Sequence, residues 1–240
     1  VIRSLGIVLT LIGVAFLFFS LFQVYETPLE LNESASYYAA NTAEETGSAN
    51  LVSAIVVTYR GLDTLGEVTI LFLTSSIISY LLKTKKEGSL RRFRESSELL
   101  KTASALLLPF IILLGVFIFV HGHLSPGGGF QGGAVLASAL VLLLVTDPLY
   151  AVQSRLLSLI ESSSGFLYVL LGLSGLLFAG GFLDNRVLPT GRVGELFSAG
   201  LIPLIYILIG LKVGTELSNL LSVFHSVQGH ELKEDEGGMR

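Results

Sequence analysis

Six long apolar runs recur along this sequence and limit its fold more than any other feature: Leu5–Val24, Val68–Leu82, Ala103–Val120, Gly133–Val145, Gly165–Leu183 and Phe197–Leu217. About 20 apolar residues in a helix cross the hydrocarbon core of a bilayer. Inside lipid, each backbone polar group must be paired within the protein. Composition agrees: the chain is 51% hydrophobic and 14% charged, where a globular chain carries about 25% charge. Its mean hydropathy is +0.73. The expected fold is all-α and polytopic, with six transmembrane helices and both termini in the cytoplasm. A formal charge of −4 is too small to suggest a nucleic-acid partner. The absence of cysteine excludes disulfides, thiolate metal sites and cysteine catalysis. Without tryptophan, Tyr and Phe must supply any aromatic belt.

Arg3 flanks the first run, and Phe22-Gln-Val-Tyr25 offers no small-residue cleavage site, so the run is expected to remain as an anchor. Tyr25–Gly47 holds Glu26, Glu30, Glu33, Glu44 and Glu45 with no Lys or Arg, and is expected outside, with a short helix through Ala35–Ala43. Asn32-Glu-Ser34 has glycosylation-acceptor spacing, a pattern short enough to arise by chance. Asn50–Leu82 as one helix would be about 50 Å long, too long for a core of about 30 Å. A break is expected at Gly61–Gly66, leaving Asn50–Tyr59 at the interface. Arg60, Asp63 and Glu67 fall at i, i+3 and i+7, one stripe of a helix. Two readings stand: a solvated helix end with a local ion pair, or a Glu67 that faces inward to relay protons or bind a cation.

Lys83–Lys101 carries seven basic residues against three glutamates, and the positive-inside rule places it in the cytoplasm. The same charges suit anionic lipid or a partner. Pro109 is placed to bend the third span. Leu149–Ser164 has the pattern of an amphipathic inner-surface segment, and glycines in the fifth run suit close helix packing. Asp184–Glu195 forms a second external loop. The tail from Ser218 is polar and expected to fray after His230.

One stretch interrupts the apolar sequence sharply: His121-Gly-His-Leu-Ser-Pro-Gly-Gly-Gly-Phe-Gln-Gly-Gly133. Glycine and proline weaken a helix, and irregular backbone at membrane depth must be buried in protein or line a wet cavity. A tight turn that lets Phe130 pack closely is one account. The other is an ion or proton route on which His121 and His123 titrate near neutral pH. In the sixth run, Lys212 and Glu216 share a face, four residues apart. Lys212 would lie about 22 Å from Phe197, where it either snorkels to the inner surface or serves transport. The glycine run lacks the Lys-Ser/Thr ending of a phosphate loop. His121 and His123, at i and i+2, do not share a helix face for a metal. No catalytic residue, cofactor or metal site is expected.

Gly122-His123-x-x-Pro126-Gly127-Gly128-Gly129-Phe130-x-Gly132-Gly133 resembles the signature of the MnhB-like subunit of Mrp-type multisubunit cation/proton antiporters. Asn50–Glu67, with its Arg60-Gly-Leu-Asp-Thr-Leu-Gly-Glu67 core, is similar to the small hydrogenase-E-type module that antiporters usually carry at the end of their large subunit. Here both sit in one chain, as 1–84 (hydrogenase-E-like) and 85–240 (MnhB-like). The fused arrangement looks more like the antiporter-derived membrane subunits of archaeal membrane-bound hydrogenase or sulfur-reducing complexes. The resemblance implies a non-catalytic prokaryotic plasma-membrane subunit that helps form a sodium or proton pathway. Its implied partners are antiporter-like membrane subunits, hydrogenase-like peripheral subunits and membrane lipids. It carries the family's acidic position onto Glu67, with Arg60 and Asp63, and the loop onto His123, Pro126, Gly127, Gly128, Gly129, Phe130, Gly132 and Gly133. The rival reading is a lipid-contacting scaffold through which no ion passes, and a self-contained channel is the third.

Overall fold

The computed structural model describes residues 2–24, 30–83, 96–150 and 152–237. Residues 84–95, most of the basic segment read as cytoplasmic, lie outside the described residues, as do 25–29 of the first acidic loop. The described residues are helical, without strands: α1 (Ile2–Val24), α2 (Glu33–Thr46), α3 (Leu51–Ala54), α4 (Gly61–Lys83), α5 (Glu98–Val120), α6 (Gly129–Thr146), α7 (Ser154–Phe178) and α8 (Ile202–Gly237). Six of these, α1 and α4 to α8, are long and apolar enough to cross a membrane.

The chain divides into two compact units, Val1–Ala39 and Ala40–Arg240. The first holds α1, whose Ile7, Phe16 and Phe22 are all exposed, the pattern of a helix solvated by lipid. In the second, α8 is the central helix and packs against α4, α5, α6 and α7. Ile202, Ile205, Ile209 and Val213 recur at i, i+3, i+7 and i+11, and each is at most 2% exposed. Lipid tails are as apolar as these side chains, so close packing must hold the helices together. Glycine permits it: a Cβ at Gly132 would stand 2.7 Å from the Gly115 carbonyl, and one at Gly133 2.9 Å from that of Gly210.

Four sequence expectations are corrected. The break before α4 falls at a π-helical turn, Ile55–Tyr59, and at Arg60 (φ −122°), not within Gly61–Gly66, which is helical. Gly61 makes room for the Leu183 side chain, which a Cβ there would meet at 2.6 Å. The irregular stretch ends at Gly128, so Gly129, Phe130, Gly132 and Gly133 belong to α6. Leu149–Ser164 is not a separate segment: from Ser154 it is the start of α7, which runs unbroken to Phe178, with Ser158, Glu161 and Ser162 on a crevice shared with α4 and α8. The last helix begins at Ile202 instead of Phe197 and continues to Gly237, past the expected fraying point.

Candidate functional site

The glycine-rich loop is built by satisfying its carbonyls. Backbone outside a helix leaves carbonyls free, and burying them unpaired is costly. Asn50 supplies most of the donors. Its Oδ1 caps α3 by accepting from the N–H groups of Val52 and Ser53 at 3.1 and 3.3 Å. Its Nδ2 donates to the carbonyls of Gly122 and Ser125, both at 2.8 Å. Its own N–H donates to the His123 carbonyl at 3.0 Å, which also accepts from Ser48 Oγ at 3.0 Å. Ser53 Oγ donates to the Gly122 carbonyl. The loop is thus tied to a segment about seventy residues upstream.

The two histidines part company. His121 ends α5, stacks on Phe117 with centroids 4.1 Å apart, and holds its Nδ1 3.1 Å from the Phe117 carbonyl. His123 is fully buried with its ring against the backbone of Glu195 and Leu196, but neither ring nitrogen makes a hydrogen bond of good geometry. Burial holds its pKa below the ordinary 6.5, so the neutral ring is favoured. Gly128 and Gly129 pass against α8: a Cβ on Gly128 would lie 3.0 Å from the Tyr206 ring, and one on Gly129 2.5 Å from Ile209. Phe130 packs on the core, while Pro126 is exposed.

The acidic motif is less concentrated than its spacing suggests. Arg60 stands outside the helix and donates from Nε to Asp63 at 2.6 Å, an exposed pair of small energetic weight. Glu67 is exposed on α4, in the electrostatic neighbourhood of the buried Tyr168. The Tyr168 hydroxyl reaches the Gly61 carbonyl at 3.4 Å.

The deepest charges belong to α8. Lys212 is 8% exposed and Glu216 fully buried, with Nζ 3.6 Å from Oε2. That separation makes an ion pair but not a good hydrogen bond, and neither Glu216 oxygen has a hydrogen-bond partner. Because α8 starts at Ile202, Lys212 lies about 15 Å from its beginning and about 21 Å from Ser226. Its side chain stays buried among the helices. Nζ rests 4.8 Å from the centroid of the Phe72 ring, and its methylenes run past Gly165, where a Cβ would meet them at 3.4 Å. Glu161, Gly165, Tyr168 and Gly172 recur at i, i+4, i+7 and i+11, so one face of α7 carries a carboxylate, the space for Lys212 and a phenol.

A cavity of about 430 Å³ lies beyond the far end of this column, with Glu45, Thr58, Tyr59, Asp184 and Arg186 in its walls. Tyr59 donates to Glu45 at 2.5 Å. Arg186 grips Asp184 through Nε at 2.9 and 3.1 Å and holds that carboxyl below its ordinary range. Sequence reasoning missed Asn50 as a loop anchor, and also Phe72, Glu161 and Tyr168. Only Glu161 carried a visible signal, a carboxylate among serines directly before an apolar run.

A polytopic membrane protein with a buried ion pair among glycine-packed helices is the class these features define. Comparison with known proteins names the kind. A family model described as a domain related to the MnhB subunit of Na+/H+ antiporter matches residues 99–219, and one for the MbhE subunit of MBH matches 3–105. The chain belongs to the MnhB-related family. It is similar, at 43% identity and TM-score 0.77, to a chain in the structure of the membrane-bound sulfane sulfur reductase (MBS), an archaeal respiratory membrane complex. That match covers 92% of this chain and 98% of the other. A chain of the Mrp complex from Dietzia sp. DQ12-45-1b shares the fold, with TM-score 0.74 at 22% identity, over 93% of this chain and 26% of that one. The B-type subunit of the Na(+)/H(+) antiporter of Bacillus subtilis (strain 168) is 36% identical over 90 residues, 36% of this chain and 63% of the relative.

Proposed function

We propose that this chain is a non-catalytic subunit of an Mrp-type or MBS-like plasma-membrane complex, and that it forms part of a Na+ or H+ translocation pathway between antiporter-like partners. The carrying observation is the Lys212–Glu216 pair. Ionised groups at mid-span are unfavourable by a few kcal/mol, and a pair this loose, with carboxylate oxygens left unbonded, recovers only part of that cost. A scaffold has no use for such a cost. A relay does, because each member can exchange a proton or a cation while the other compensates the charge. Glu67, on the chain's surface, would pass charge to a neighbouring subunit, with Asp63 and Arg60 at its approach. The loop around His121 and His123 would close the pathway's outer end. In this reading 1–84 and 85–240 are the two functional modules, and any redox chemistry belongs to hydrogenase-like partners.

The test is Lys212→Met and Glu216→Gln in the complete complex, reconstituted in vesicles. Both variants should assemble at normal levels and lose cation-coupled proton movement by about tenfold or more, the loss of roughly 1.4 kcal/mol of barrier lowering. Unchanged transport in both would favour the scaffold reading.

A further inference from the structure

Where α4 ends and α7 begins, a crevice of about 370 Å³ opens between α4, α7 and α8. Its walls are polar for a place among three spanning helices: Ser75, Ser79, Ser158, Ser162, Asn219 and the carboxylate of Glu161. At about 30 Å³ per molecule, that volume holds on the order of ten waters, and the hydroxyls supply partners for them. Phe72 lines the crevice and also carries Lys212 on its ring. Glu216 is one turn before Asn219 on α8 and sits in the field of Glu161. Its two buried, unbonded oxygens therefore lie one helical turn from the Asn219 wall of a polar crevice. Lys212 and Glu216 cancel, so among the described residues that line the crevice Glu161 is the one uncompensated charge. A cleft of one sign with low-dielectric walls concentrates counter-ions and excludes co-ions.

We propose that this crevice is a hydrated access path for small monovalent cations to the Lys212–Glu216 pair, and that Glu161 sets its selectivity for cations over anions. The purpose of the path rests on the transport reading above; its existence and selectivity do not.

The cysteine-free chain allows a direct test. Ser79→Cys and Ser162→Cys, each in the complete complex in open membranes, are treated with trimethylammonium-ethyl or sulfonatoethyl methanethiosulfonate, both rates normalised to a free thiol. Both positions should react, the cationic reagent faster by about tenfold or more. Ser138→Cys, on α6 away from the crevice, should remain unreactive. Adding Glu161→Gln should bring the two rates together, and Glu161→Asp should restore the preference. Failure of both reagents at both positions shows a dry groove and overturns the proposal. So does a preference that Glu161→Gln leaves intact. Normal transport in both Lys212→Met and Glu216→Gln would sink the pathway reading yet leave these rates as they are, so the two failures are told apart.

Discussion

Gly127 and Gly128 adopt φ of +152° and +151°, a region side chains rarely occupy, and Gly128 also presses on the Tyr206 ring. Gly128→Val combines backbone strain of about 1–3 kcal/mol with a clash. Gly172 makes a poor comparator, since a Cβ there would run into Phe182. Gly66 serves better, with nothing within 4 Å of an added Cβ and a place inside α4. We expect Gly128→Val to lower the thermal midpoint and the yield of assembled complex. Gly66→Ala should be neutral or stabilising by about 0.5–1 kcal/mol. Equal, mild effects would reduce the loop to an ordinary turn. At the same scale, Lys212 changes meaning between sequence and structure. Its spacing from Glu216 was legible, but its depth depended on where α8 begins, a start that Gly200 (φ +55°) and Pro203 in the first turn mark and that the apolar run from Phe197 obscured.

Elements were legible wherever twenty apolar residues stood together, because lipid leaves a helix as the simplest way to pair their backbone. They were not legible where polarity had another cause. Ser158, Glu161 and Ser162 gave the first turns of α7 the look of a separate surface segment, yet they line a crevice between α4, α7 and α8. Gly61 looked like a helix breaker but is small so that Leu183 can pack. The π-helical turn before it has no sequence signature, and is held by Thr64 Oγ1 donating to the Val56 carbonyl at 2.6 Å. Asn50 could be read as a cap; its partners at Gly122 and Ser125 could not. Its two roles separate experimentally. Asn50→Asp keeps an N-cap of equal quality but replaces the amide donor by a carboxylate facing two carbonyls. Asn50→Ala removes both roles, at about 2–3 kcal/mol for a cap and two hydrogen bonds. We expect Asp to be at least as damaging as Ala, read as thermal stability and as protease cleavage within His121–Gly128. An Asp variant as stable as the parent would confine Asn50 to capping.

Across the whole molecule, the two family motifs are packed together. Asn50 anchors the glycine loop, Gly61 accepts from Tyr168, and Phe72 holds Lys212, so the hydrogenase-E-like and MnhB-like segments share one compact unit from Ala40 onward. Orientation is the property this arrangement leaves to charge. Lys and Arg beside a span are retained on the cytoplasmic side far more strongly than acidic residues are. Lys83–Lys101 has seven of them, whereas Tyr25–Gly47 has five glutamates and none. Six spans also require both termini on one side. The expected topology is therefore N-in and C-in, with Ser36 outside and Ser89 inside. Single Ser36→Cys and Ser89→Cys variants of this cysteine-free chain, treated on intact cells with an impermeant thiol reagent, check it. Ser36→Cys should label at once, and Ser89→Cys only after the membrane is opened. The reverse pattern would invert the protein and place the serine crevice on the outer face, so that cations would meet Glu161 before Lys212 on the way in.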